Sequence, residues 1–231
     1  MGIQKQPCPN TKTRIMDTAE QLFTLKGFQC TSIKRLACAA RVNQAAVNYH
    51  FGSKAALIEK IIDRRLRPIN RQRIERLEAV QQAAARQGCR PRTEDVLHAF
   101  IEPTFALTEI IQTEKYFLSI AGRVFSEPDD AIRSILILHF KPSFLLLFKL
   151  MKAALSGLPE AVLLWRLHFV IGALAHCMYM CGTRLAVPDF FPLPDNADTM
   201  VKLLISFATN TMNAPYYREN ENMLGFDSLE Y

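Results

Sequence analysis

The chain has 231 residues, 49% of them hydrophobic and 22% charged, so it is long and apolar enough to bury a core without disulfides or metal, and it is not a disordered chain. Nine glycines and no Asn-Gly or Asp-Gly pair argue against a β-rich chain of tight hairpins. The net charge of +6 is ordinary as a total but uneven in placement: residues 1–67 hold twelve Lys/Arg against Asp17, Glu20, Glu59 and Asp63, a net +8, while the remainder is −2. A basic front on a faintly acidic body points to a polyanion partner for the front alone.

Helical periodicity runs through the chain. Residues 11–26 put Ile15, Ala19, Leu22 and Phe23 on one face, and Gly27 stands where a helix C-cap belongs. Thr31 is the expected N-cap of a short helix over 32–39, with Ile33, Leu36 and Ala37 apolar. Asn43 opens a third helix through Tyr49, and Ser53 caps a fourth carrying Ala56, Leu57, Ile58, Ile61, Ile62 and Leu66. Pro68 is expected to break or kink that helix near residue 67, after which 70–86 forms a charged amphipathic helix ending at Gln87-Gly88. Thr93 starts another helix, with Glu94 and Asp95 suiting its N-terminal dipole. Further helices are expected over 109–125, 128–156 (kinked at Pro142), 159–184 and 195–213, and 214–231 is expected to be a flexible tail. The expected fold is all-α with about nine helices.

Two short helices joined by Ala40-Arg41-Val42 and supported by a first helix have the dimensions of a helix-turn-helix. The second of the pair would present Asn43 and Gln44, whose amides donate and accept and so suit base edges in the major groove. Ala45 and Ala46 are small enough for close approach, and Val42, Val47 and Phe51 anchor the opposite face. Asn43 is also an ordinary N-cap, His50 an ordinary packing residue, and a basic front an ordinary solvated face; the combination is more specific than its parts.

That combination resembles the DNA-binding domain of TetR-family transcriptional regulators. The likeness runs through Ile15-x3-Ala19-x2-Leu22-Phe23-x3-Gly27-Phe28, then Thr31-Ser32-Ile33, Leu36-Ala37, Ala40, Val42, Val47-Asn48-Tyr49-His50-Phe51 and Ser53-Lys54-x2-Leu57. It implies an N-terminal helix-turn-helix domain over 1–67 (core 11–57) and a helical effector-binding and dimerisation domain over 68–213. The DNA contacts it implies fall on Ser32, Lys34, Asn43, Gln44, Ala45, Asn48, Tyr49, His50 and Lys54. Of these, Asn43 and Gln44, with Lys34, are assigned to bases, and Ser32, Tyr49, His50 and Lys54 to phosphates. One departure stands out: Arg41 occupies the turn position usually held by glycine, where a left-handed backbone would cost about 1 kcal/mol.

Behind the front, twelve of fifteen phenylalanines lie beyond residue 99, most of them expected in the core and some along an apolar pocket between helices. Candidate ligand contacts are Phe117, Phe144, Arg123, Arg166 and His168, the three polar ones facing either the head group of an acidic ligand or a partner chain. The segment Trp165-Arg166-Leu167-His168-Phe169, with Leu163-Leu164 before it and Gly172-Ala173 after, is similar to the fatty-acid-responsive branch of the family. It implies a long-chain fatty acid or acyl-thioester as effector.

The expected activity is thus a homodimeric, ligand-responsive repressor on a palindromic double-stranded operator, dimerised through helices 159–184 and 195–213. No phosphate-binding glycine loop, nucleophile elbow or paired metal-binding histidines appear, so neither an enzyme nor a cofactor is expected. No apolar signal core is present in MGIQKQPCPNTKTR, and the run Leu167–Cys181 is short for a bilayer, so a cytoplasmic protein without membrane attachment is expected. The alternative is a helical lipid-binding or membrane-peripheral protein, disfavoured because the second and third helices are too short for a surface-lying amphipathic helix.

Overall fold

Helix starts are set by short polar side chains standing just before apolar runs. In the computed structural model, which describes residues 10–28, 30–106, 130–182, 194 and 196–216, eight helices and no strand occur among the described residues. They are α1 Thr11–Lys26, α2 Ile33–Ala39, α3 Gln44–Phe51, α4 Lys54–Arg86, α5 Thr93–Ala106, α6 Asp130–Ala154, α7 Glu160–Gly182 and α8 Ala197–Asn213. The side chains of Asn10, Ser32, Asn43, Ser53 and Asn196 accept from the backbone N–H groups of Lys12, Arg35, Ala46, Ala56 and Thr199, satisfying donors the helices leave open. The expected helix over 109–125 and the tail beyond Tyr216 lie outside the described residues.

Two expectations need correction. The cap of α2 is Ser32, not Thr31, because Thr31 is 1% exposed and its hydroxyl is turned inward to donate to the Gly27 carbonyl at 3.0 Å. Nor does the fourth helix end at Pro68: α4 runs unbroken through it for 33 residues. An internal proline costs a helix about 3 kcal/mol. Leu66, Ile69, Asn70 and Arg73 around it are all buried, and burial at roughly 1.5–3 kcal/mol per large apolar side chain outweighs that penalty.

One contiguous core runs from Ile15, Phe23, Leu36 and Val47 in the front through Leu57, Ile61 and Leu66 of α4 to Leu97, Ile101, Leu147, Leu163 and Ala208 in the rear. In the rear, α4 packs against α5 and α6, α5 against α8, and α7 against α6 and α8. The segments 133–154 and 160–180 are each long and apolar enough to cross a membrane by length and composition, longer than the run Leu167–Cys181 suggested. Charge placement argues against that use: Lys141, Lys149 and Lys152 lie exposed along α6, and Arg166 of α7 is tied to the end of α8.

Candidate nucleic-acid interface and effector cavity

Helix α3 buries Val47 and Phe51 and exposes Gln44, Ala45, Asn48 and Tyr49, a single stripe at i, i+1, i+4 and i+5. Tyr49 is 87% exposed, an unusual state for a large aromatic side chain in a folded monomer. Beside this stripe, α2 exposes Lys34 and Arg35. The Arg14 guanidinium Nε donates to the Ala40 carbonyl at 3.0 Å, fixing α1 against the turn that aims α3.

That turn is a Schellman closure: Val42 N–H donates to Ala37 and Arg41 N–H to Cys38, at 3.0 and 3.1 Å. Its left-handed residue is Arg41, at φ 53°, where the geometry favours glycine.

Several front residues are already engaged within the chain. The Asn43 side chain caps α3 through Ala46 N–H at 2.7 Å, so in this state its oxygen serves the helix. Ser32 caps α2, His50 is half-buried with its ring against Tyr49 and Phe51, and the Lys54 ammonium donates to the Phe28 carbonyl. The residues aimed outward without such a partner role are Lys34, Gln44, Ala45, Asn48 and Tyr49.

Internal pairing also redistributes the front's charge. Glu20 is fully buried and accepts from Arg64 at 2.7 Å and Arg65 at 2.8 Å, while Asp17 pairs with Arg64 at 2.7 Å and Asp63 with Arg67 at 2.6 Å. Three of the four front acids are thereby spent on α4 arginines. Among the cations that remain exposed are Lys34 and Arg35 of α2 and Arg41 of the turn.

In the rear, a small apolar cavity of about 30 Å³ lies between α4, α6 and α7, lined by Leu66, Leu136, Phe140, Ile171, Leu174 and Met178, with Arg73 as its only charged lining residue. Arg73 is 3% exposed. Its Nε donates to the Phe100 carbonyl at 3.0 Å, one terminal nitrogen to Asn70 Oδ1 at 3.2 Å and the other to Thr104 Oγ1 at 2.8 Å. The Phe100 and Phe140 ring centroids stand 4.3 and 5.3 Å from its Cζ. Asn70 extends the network to α6, accepting from Ser143 at 3.2 Å and donating to the His139 carbonyl at 2.8 Å. No carboxylate among the described residues pairs with Arg73, and burial pulls its guanidinium down from the usual arginine range to about 9.

Of the ligand candidates read from sequence, Phe117 and Arg123 lie outside the described residues. Phe144 is half-buried and stacks between Phe140 and Phe148, centroids 6.0 and 6.5 Å apart, next to the cavity wall. Arg166 and His168 are not brought to the cavity. Arg166 donates to the Met212 and Ala214 carbonyls, both at 2.8 Å, and closes the C-terminus of α8 beside an open recess of about 290 Å³. His168 is exposed, edge-on to Trp165.

Sequence reasoning missed Arg73, Asn70, Thr104 and Ser143. A signal existed for the first two: Leu66, Asn70, Arg73 and Leu77 recur at helical spacing, which places a polar pair on the apolar stripe of α4.

Comparison with known proteins covers both halves of the chain. Residues 15–61 match the family model for bacterial regulatory proteins of the tetR family, and residues 98–210 match the tetracyclin repressor-like C-terminal domain. The probable HTH-type transcriptional regulator YttP of Bacillus subtilis is 40% identical over 53 residues, 23% of this chain and 26% of that protein. The matched stretch thus spans about a quarter of that relative's length. Among solved structures, the TetR family transcriptional regulator PfmR from Thermus thermophilus has a TM-score of 0.57 at 19% identity, covering 88% of this chain and 100% of that one. FadR from Bacillus subtilis, solved in complex with stearoyl-CoA, has a TM-score of 0.60 at 12% identity, covering 88% and 99%. These structural likenesses establish a shared fold. The proteins matched are transcriptional regulators and not enzymes. With family models matched in both its halves, the chain belongs to the TetR family of bacterial regulatory proteins.

Proposed function

We propose that the chain is a homodimeric repressor that binds a palindromic operator and is released from it by a small hydrophobic effector. The observation that carries this reading is the outward stripe Gln44, Ala45, Asn48 and Tyr49 on a short helix beside the exposed Lys34, Arg35 and Arg41, while Arg64, Arg65 and Arg67 of α4 are paired with carboxylates. In this reading residues 1–67 form the reading head, 68–213 the effector and dimerisation unit, and the protein works in the cytoplasm.

The proposed partner surface is the apolar outer face of α7 and α8. Leu164, Trp165, Phe169, Leu203 and Phe207 are 42–58% exposed there. Water penalises such a face, and a second copy of the same helices would cover it. The effector site is proposed at the cavity between α4, α6 and α7. A long-chain fatty acid or acyl-thioester fits its apolar lining in kind, and a protein of this fold, FadR, was solved with stearoyl-CoA.

A polarisation assay on the duplex upstream of the chain's own coding region tests the reading. Sequence-selective binding with a steep fall in salt is expected, since each neutralised phosphate releases counterions. Gln44→Ala should relax base preference, whereas Tyr49→Phe, at a position assigned to phosphate, should weaken all sequences alike. Absence of selective binding at moderate salt would sink the proposal.

A further inference from the structure

Arg73 is a cation with almost no access to water and no counter-charge among the described residues. A guanidinium carries five N–H donors. Three are used, on Phe100, Asn70 and Thr104, which leaves one on each terminal nitrogen. All three acceptors are neutral. A buried charge left in that condition is costly unless something else neutralises it. The remaining cavity wall is apolar.

We infer that Arg73 is the head-group anchor of the effector site and that the ligand it takes is a small apolar carboxylic acid, bound as its anion. This rests on the reading of that cavity as the effector site. The two spare donors match the two oxygens of a carboxylate, and a charge-assisted pair of this kind is stronger than any bond to a neutral oxygen. Leu136, Phe140, Ile171, Leu174 and Met178 would receive the tail, displacing or spreading side chains as it enters. An acyl-thioester is the poorer fit, because it offers Arg73 only a neutral carbonyl oxygen. Arg73 also joins α4 to α5 through Phe100 and Thr104, so a purely structural role is the competing explanation.

Calorimetric titration of the full chain, without DNA, separates the two. Butanoate, decanoate and benzoate are each titrated against their methyl esters, with Arg73→Met and Arg73→Lys alongside wild type and circular dichroism monitoring the fold. At least one acid should bind about tenfold or more tighter than its ester, as expected for a charged hydrogen-bonded pair. Arg73→Lys should keep that preference at lower affinity, and Arg73→Met should erase it. Equal binding of acid and ester, binding of none of the three acids, or an undiminished preference in Arg73→Met would overturn the proposal. If Arg73→Met does not fold, the wild-type and Arg73→Lys comparisons decide alone. Operator binding is measured separately: acid binding that leaves the duplex bound refutes the regulatory reading and not the site.

Discussion

Replacing Arg41 with glycine should make the protein more stable. The same closure occurs twice in this chain. At the end of α2, Val42 and Arg41 N–H groups reach Ala37 and Cys38; at the end of α4, Cys89 and Gly88 reach Ala84 and Ala85. The left-handed residue is Arg41 at φ 53° in the first and Gly88 at φ 61° in the second. A side chain in that region costs roughly 1–2 kcal/mol from contact between its Cβ and the neighbouring carbonyl. Glycine's greater freedom in the unfolded chain returns about 0.4–1 kcal/mol of that. Arg41→Gly should therefore gain about 1 kcal/mol, or about 2–4 °C in melting temperature for a chain of this size. Arg41→Ala is the control, since it removes the charge and keeps the Cβ. Scanning calorimetry on the three proteins reads the difference. If alanine and glycine shift the melt equally, the strain argument is wrong.

Three further outcomes are expected. Glu20→Gln removes the charge buried between Arg64 and Arg65 and should lower stability by about 3 kcal/mol in urea melts; a loss under about 1 kcal/mol would mean solvent already compensates those arginines. Phe169→Glu combined with Phe207→Glu should yield a monomer by sedimentation, with operator affinity falling in step, and a persistent dimer would place the interface elsewhere. With burial holding the free Arg73 guanidinium down to about 9, an anion finds it protonated below about pH 8, so the acid-over-ester preference should be full there and weaken only as pH rises above about 9; a preference already lost below pH 8 would clear Arg73 of the role.

Arg41→Gly also exposes a trade between folding and function. Arg41 is exposed at the turn that aims α3. If its cation meets a phosphate, the glycine variant gains stability while losing affinity for every duplex alike.

Local features were the ones legible from sequence. A Ser or Asn ahead of an apolar run needs only its own neighbours to become a cap, and Asn43 and Ser53 behave so. The left-handed turn at Arg41 was implied by the family resemblance, at a position usually held by glycine, and it closes within six residues. Tertiary competition hid the rest. Thr31 and Ser32 are equally good caps on paper, and only the burial of Thr31 leaves the task to Ser32. Lys54 and Arg166 look like free cations until distant carbonyls, Phe28 and Met212, claim them. Arg73 was hidden differently: its partners stand on α5 and on its own helix, while the ring that flanks it from α6 is 67 residues away in sequence.

The unbroken α4 changes how the two halves should be understood. A helix that ended at Pro68 would leave a reading head joined to a sensor by a linker, and effector binding would need some other route to the DNA. Instead one rod holds both. Arg64 and Arg65 grip Glu20 of α1, and Arg73 sits eight residues beyond Arg65 at the cavity proposed for the effector, about 12 Å along the same helix. Pro68 falls between them, where the missing N–H leaves the Arg64 carbonyl without its helical donor and weakens the rod. A ligand that pulls on Arg73 therefore acts on the segment just beyond a weak point, while the paired arginines keep α1 fixed to the segment before it. Bending at Pro68 would turn the head as a unit, leaving the caps and packing of α1 to α3 intact, and in a dimer two such turns would change the separation of the two α3 stripes. Only that separation has to match one helical turn of DNA, about 34 Å, so a small rotation multiplied along the front is sufficient to lose the operator.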